Sequence, residues 1–172
     1  YKCYRAFVRG KVESIQAIAE GRAPRENHAK RATRYFHLAL RYAVVGSEPL
    51  VLVVMGRIAT GKSTVAKQLA RELDWPVFSS DEIRKTLAGL PLSIRTPPKL
   101  RDKLYSERMT DQTYEKLLQN GLAALAIDNG VVLDATFSSR RQREHLRKEC
   151  ARGAIRLRMI ELQAHPEEIR RR

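Results

Sequence analysis

Leu50 to Met55 (LVLVVM) and Val131 to Leu133 (VVL) are unbroken apolar runs. Both are short and valine-rich, the first bounded by Pro49 and Gly56, the second preceded by Asn129-Gly130. Such runs predict strands buried on both faces, as in a parallel sheet. Around them the apolar positions fall at helical spacing. Residues 2–20 carry Ala6, Phe7, Val8, Val12, Ile15, Ile18 and Ala19 on a stripe that Gly21 and Pro24 interrupt. A second helix is expected from His28 to about Val44, capped by Asn27, with Ala32, Tyr35, Phe36, Leu38, Ala39 and Tyr42 as its apolar side. Together they form a helical hairpin with too little core to stand alone, and the aromatics read as packing surface.

Beyond the boundary Gly46-Ser47-Glu48-Pro49, helix and strand patterns alternate. Val65, Leu69, Ala70 and Leu73 predict a helix from about Lys62, and Asp74-Trp75-Pro76 connects it to a short strand, Val77 to Ser79. Ser80-Asp81 opens a helix to Leu87 or Ala88, stopped by Gly89 and Pro91. Residues 89–109, with three prolines and many charges, read as a loop beside the acceptor of whatever reaction occurs here. Thr110-Asp111 should cap a long helix carrying Tyr114, Leu117, Leu118, Leu122, Leu125 and Ile127. A further helix from about Ser139, a strand in 154–162 and the start of a helix at Pro166 to Arg172 complete the chain. Strands separated by helices imply an α/β fold with a parallel sheet.

Composition changes little: at 172 residues, 43% hydrophobic and 30% charged, there is room for one cored domain and an appendage. No apolar run is long enough for a membrane helix, and no signal peptide pattern is seen. Cys3 and Cys150, far apart and not beside other ligand types, read as reduced thiols of a cytoplasmic protein without a structural metal. The net charge of +14 raises nucleic acid as a partner. Residues 1–45 hold ten Lys/Arg against three Glu and the remainder 23 against 16, so the positives are spread rather than gathered with aromatics. Charge alone therefore does not favour that partner.

The chemistry concentrates after the first strand. Gly56-Arg57-Ile58-Ala59-Thr60-Gly61-Lys62-Ser63 fits G-x-x-x-x-G-K-[ST] at every fixed position, with Thr64 next. The strand before it and the helix after it are the context this motif needs. Glycines let the backbone turn so that successive N–H groups and the helix N-terminus face a phosphate chain. Lys62 would reach the β- and γ-phosphates, and the Ser63 hydroxyl would ligate Mg²⁺, so ATP with Mg²⁺ is the expected cofactor pair. Ala59 occupies a place where a third glycine is usual, tolerable if its φ stays negative. The second apolar strand ends on Asp134, where a carboxylate would hold the Mg²⁺ shell. Asp81 and Arg84 stand three apart in the first turn of a helix leaving a strand. They read either as a base for an acceptor hydroxyl with its steering arginine, or as an N-cap with a solvated neighbour. Spacing leaves both open. Arg140, Arg141, Arg143 and Arg147 read by default as a solvated basic face, and His145 has no further role.

GRIATGKST, SSDEIRKTLAGL, VVLDATF and IELQAHPEEIRRR, in this order, resemble small AAA-type, ATP-binding P-loop kinases. Their relatives include polynucleotide kinase, gluconate kinase and zeta toxin. The resemblance covers about residues 49–172 and implies a three-layer P-loop sandwich acting on a hydroxyl-bearing small molecule or nucleoside-like acceptor. Asp81-Glu82-Ile83-Arg84 matches an Asp-x-x-Arg that in such relatives carries the base and a substrate or phosphate arginine. A fifth strand and an arginine-bearing lid are expected beyond this chain, with Arg170 to Arg172 as the lid's first arginines. Residues 1–45, with YRAFVRGKV and RYFHLALRYA, resemble the tail of an aminoglycoside phosphotransferase-like domain. That implies a bifunctional fusion in the same polypeptide, of which this chain would be a piece. A polynucleotide 5′-hydroxyl kinase and an ATP-binding regulatory module of the fused phosphotransferase are the rival readings.

Overall fold

The structure is a computed structural model that describes residues 1–19, 22–46, 48–93, 100–165 and 167. It divides into two compact units, Tyr1–Glu48 with Glu72–Asp74, and Pro49–Arg71 with Trp75–Arg172. The helix foreseen over residues 166–172 lies outside the described residues apart from Glu167.

The first unit contains α1 (Lys2–Ala19) and α2 (Arg22–Val45). α2 begins six residues earlier than the sequence pattern predicts. Pro24 does not break it, because in the first turn its missing N–H has no helical partner to lose and its fixed φ suits the helix. The seam between the helices is made of small residues, Ala6, Gly10 and Ala17 against Ala32 and Ala39. A Cβ on Gly10 would stand 2.8 Å from the Phe36 ring, which is how closely the helices pass. The large apolar residues of the predicted stripe consequently point outward, with Phe7, Val12, Ile15 and Ile18 all exposed. His28 and Arg31 both meet the Glu13 carboxylate, at 2.6 and 3.0 Å. The His28 hydrogen bond leads in drawing Glu13 below the usual carboxylate range.

The second unit is built on a four-stranded sheet, β1 (Leu50–Gly56), β2 (Val77–Ser79), β3 (Gly130–Asp134) and β4 (Arg156–Leu162), in the order β2-β3-β1-β4. Every pairing is parallel. Leu50 to Val54 and all of β3 are buried, as uninterrupted apolar runs in a parallel sheet should be. Each fully buried valine or leucine contributes roughly 1.5–3 kcal/mol of transfer free energy.

α3 (Lys62–Leu73) carries the chain from β1 to the far edge strand, and α4 (Ser80–Leu87) leaves β2. α5 (Arg101–Leu104) and α6 (Glu107–Asp128) return it to β3, and α7 (Arg140–Arg152) leads to β4. The expected loop over 89–109 is partly helical: α5 buries Leu104, and residues 94–99 lie outside the described part. α6 starts at Glu107, capped by Ser106, whose hydroxyl accepts from the Met109 N–H, and not at Thr110-Asp111. Ile127, placed on its apolar side by spacing, is exposed at the last turn. Asn129 ends the helix in the left-handed region (φ 58°), and its carbonyl accepts from the Leu50 N–H.

β1 and β3 are neighbours whose following connections run to opposite edges of the sheet. With right-handed crossovers these pass over opposite faces and leave a crevice at the carboxyl ends of the two strands.

Candidate functional site

At the end of β1, Gly56 turns at φ 141°, and a Cβ there would stand 2.4 Å from the Leu162 carbonyl oxygen on β4. The position has both a backbone conformation and a space that only glycine fills. The turn then runs through Arg57 to Gly61 into the first residue of α3. Thr60 Oγ1 and Lys62 Nζ both donate to the Arg57 carbonyl, each at 2.8 Å, which closes the turn on itself. Ala59 adopts φ 67°, so the expectation of a negative φ there is corrected. The tight turn demands a left-handed residue, and alanine takes it at a steric cost of roughly 1–2 kcal/mol.

Asp134 ends β3 in register with Val54 and is buried at 4% exposure. Ser63 Oγ, in the first turn of α3, donates to Asp134 Oδ2 at 2.6 Å. Burial lowers the Lys62 pKa below the ordinary lysine value, and the Asp134 charge partly offsets this. A partly desolvated ammonium beside a turn of backbone N–H groups suits phosphate oxygens.

The turn forms one wall of a cleft of about 1320 Å³. Arg84, Tyr105, Thr110, Tyr114, Thr136, Phe137, Gln142 and Arg143 line it as well. Arg84 is 7% exposed; its Nη1 donates to the Leu104 carbonyl (2.9 Å) and Thr110 Oγ1 (3.2 Å), and its guanidinium lies 4.6 Å from the Tyr105 ring centre. Among the described residues no carboxylate pairs with it. Asp81 goes elsewhere. Its carboxylate, 54% exposed, meets Lys85 Nζ at 3.0 Å and is not among the residues that line the cleft. The N-cap of α4 is Ser79, not Asp81.

Sequence reasoning gave Arg143 no role, yet it braces the loop after β3. Its Nη1 donates to the carbonyls of Phe137 (2.5 Å) and Ser138 (2.8 Å). Phe137 itself sits at φ 45°, donating its N–H to Tyr114 Oη at 3.0 Å, while Tyr114 Oη and Thr136 Oγ1 share a hydrogen at 3.1 Å. The ring of Phe137 meets Tyr114 edge-on at 5.0 Å. A Ser-Ser-Arg-Arg-Gln-Arg stretch carries no local signal of this, because the carbonyls that Arg143 holds are brought within reach by the turn after β3.

A glycine turn feeding a helix, closed by a serine–aspartate pair across the switch point of a parallel sheet, defines a P-loop nucleotide-binding domain of α/β class. The comparisons agree: residues 51–172 match the model of the AAA domain family, and the chain belongs to that family. It is 31% identical over 155 residues to the uncharacterized protein Rv2004c of Mycobacterium tuberculosis, covering 88% of this chain and 29% of the relative. The chain thus spans under a third of the length of such curated relatives. A Chloroflexus aurantiacus structure classed as a kinase superposes with a TM-score of 0.58 at 17% identity, over 72% of this chain and 64% of the other. That likeness concerns the fold. A gluconokinase of Sinorhizobium meliloti is 25% identical with a TM-score of 0.42, over 72% and 65% of the two chains.

Proposed function

We propose that this chain is the catalytic domain of an ATP- and Mg²⁺-dependent kinase that phosphorylates a hydroxyl on a small-molecule or nucleoside-like acceptor. The observation that carries the reading is the 2.6 Å pairing of Ser63, in the first turn of α3, with buried Asp134 at the end of β3. One hydroxyl and one carboxylate, with no cluster of three His, Cys, Asp or Glu among the described residues, suit a hydrated Mg²⁺ that completes its shell with water and phosphate oxygens. Ser63 and Asp134 would hold it, and when bound it neutralises charge on the phosphate chain. Gly56 to Thr64 wrap the triphosphate, Lys62 holds the β- and γ-phosphates, and Arg84 faces the transferring group within the cleft. Asp81 takes the proton of the acceptor hydroxyl as its oxygen bonds the γ-phosphorus. The bond to the β–γ bridging oxygen breaks and ADP leaves.

The exposed Asp81, paired with Lys85 and away from the cleft lining, is what favours the rival in which the domain binds ATP and regulates a fused partner. Aromatic and arginine side chains sharing one wall, as Arg84 and Tyr105 do, are what a polynucleotide 5′-hydroxyl kinase would use. In the longer polypeptide the partner would be the phosphotransferase-like domain, in the cytoplasm. The test is acceptor-dependent transfer from ATP by the full-length polypeptide. Lys62→Ala and Asp81→Ala are each expected to lower kcat about 100-fold or more. ATP binding through Lys62 with a silent Asp81→Ala and no responsive acceptor would establish the regulatory reading instead. Salt-sensitive binding and phosphorylation of a 5′-hydroxyl oligonucleotide would establish the polynucleotide one.

A further inference from the structure

Resemblance pairs Asp81 with Arg84, but the structure gives Asp81 a different partner. Arg84 turns inward to Leu104 and Thr110, and the only cation hydrogen-bonded or ion-paired to Asp81 among the described residues is Lys85, one turn further along α4. Its Nζ stands 3.0 Å from Asp81 Oδ2 and, on another side, donates to the Leu92 carbonyl at 3.2 Å. The Lys85 side chain is 12% exposed, against 54% for Asp81. The ammonium therefore joins the carboxylate to the chain that leaves the helix.

The end of α4 explains why that chain is in reach. Gly89 takes φ 67°, and the Leu90 N–H donates back to the Lys85 carbonyl at 2.9 Å, folding the chain against the last turn. Lys85 is thus fastened twice, its carbonyl to Leu90 and its ammonium to Leu92. An ammonium held by a backbone carbonyl at the end of a largely covered side chain has little freedom left, so the carboxylate it meets is held too. A general base works when a third group fixes its orientation.

We propose that Lys85 is the positioning residue of the Asp81 base, and that through the Leu92 carbonyl it ties that base to the segment entering the acceptor loop. The inference rests on the reading of Asp81 as base. A lysine at the fourth position of Asp-Glu-Ile-Arg-Lys looks in sequence like an ordinary i, i+4 surface pair. What distinguishes it is the second bond to Leu92, which no surface pair needs.

The experiment uses the full-length polypeptide with Mg²⁺ and ATP, and three probe acceptors: gluconate, adenosine and a 5′-hydroxyl oligonucleotide. Water, the background acceptor, reports hydrolysis in every assay. Wild type, Asp81→Asn, Lys85→Met, Lys85→Arg and the Asp81→Asn/Lys85→Met double variant are compared for kcat, for KM of ATP and for thermal midpoint. Lys85→Met is expected to lower kcat about tenfold or more with KM for ATP unchanged. Lys85→Arg recovers part of the loss, and the double variant is no slower than Asp81→Asn alone, because Lys85 acts only through Asp81. If Asp81→Asn is inactive while Lys85→Met turns over normally, the inference falls and the kinase reading stands. If Asp81→Asn is silent, both fall. A double variant slower than either single one by the product of their effects makes Lys85 a structural residue and overturns the proposal. Should Lys85→Met fail to fold, Lys85→Gln, which keeps a donor for Leu92 without the charge, takes its place under the same criteria.

Discussion

Ala59 shows how a single methyl is carried against its preference. At φ 67° it occupies the left-handed region inside the glycine turn between β1 and α3. Ala59→Gly removes the steric strain and returns some of it as extra freedom of the unfolded chain. The expected result is a gain of up to about 1 kcal/mol in denaturant unfolding, with ATP affinity at least retained. Cys150 sits at the other extreme, 1% exposed on α7, where burial first and Glu149 second push its thiol up from 9.0 to about 11. A thiol whose folded pKa is raised keeps its proton in the native state after the unfolded chain has lost its own. Stability contributed by this group is therefore present below pH 9 and falls as pH rises from about 9 to 11. Denaturant titrations across that window should show a decline that Cys150→Ala reduces, and alkylation of Cys150 at pH 8 should proceed only as fast as the protein unfolds.

At the level of elements, the junction of β2 and β3 is the tightest. Trp75, 6% exposed, lies over Gly130 so closely that a Cβ there would fall 2.0 Å from its ring. Trp75 is thus a packing residue. Gly130→Ala forces the indole or the start of β3 to move, and an overpacking loss of about 2–3 kcal/mol is expected in equilibrium unfolding. Since β3 delivers Asp134, the same substitution should also weaken ATP binding, measurable by calorimetry with Mg²⁺. The two central strands were readable because Leu50 to Val54 and Val131 to Leu133 are apolar at every buried step. Helix boundaries were less so. Pro24 inside the first turn of α2, and the cap at Ser106 instead of Thr110, depend on which backbone groups find partners, and residue type alone does not decide that.

For the whole molecule, the sheet order β2-β3-β1-β4 brings together groups more than seventy residues apart, Ser63 and Asp134. The glycine turn after β1, the helix behind it and the acid at the end of β3 were legible in the chain, because each is specified by its own neighbours: glycines where the backbone must turn, apolar runs where the sheet must be buried. The sequence by itself also placed Asp81 and Arg84 on one helical turn. Only the tertiary structure decided where they point. Arg84 finds carbonyl, hydroxyl and aromatic partners across the gap to α5 and α6, whereas Asp81 stays near water, paired with Lys85. Helical periodicity fixes the angle at which a side chain leaves the backbone. The choice among partners is made by what the rest of the fold puts within reach, and for Arg84, Arg143 and Lys85 those partners are backbone carbonyls that have no signature in sequence.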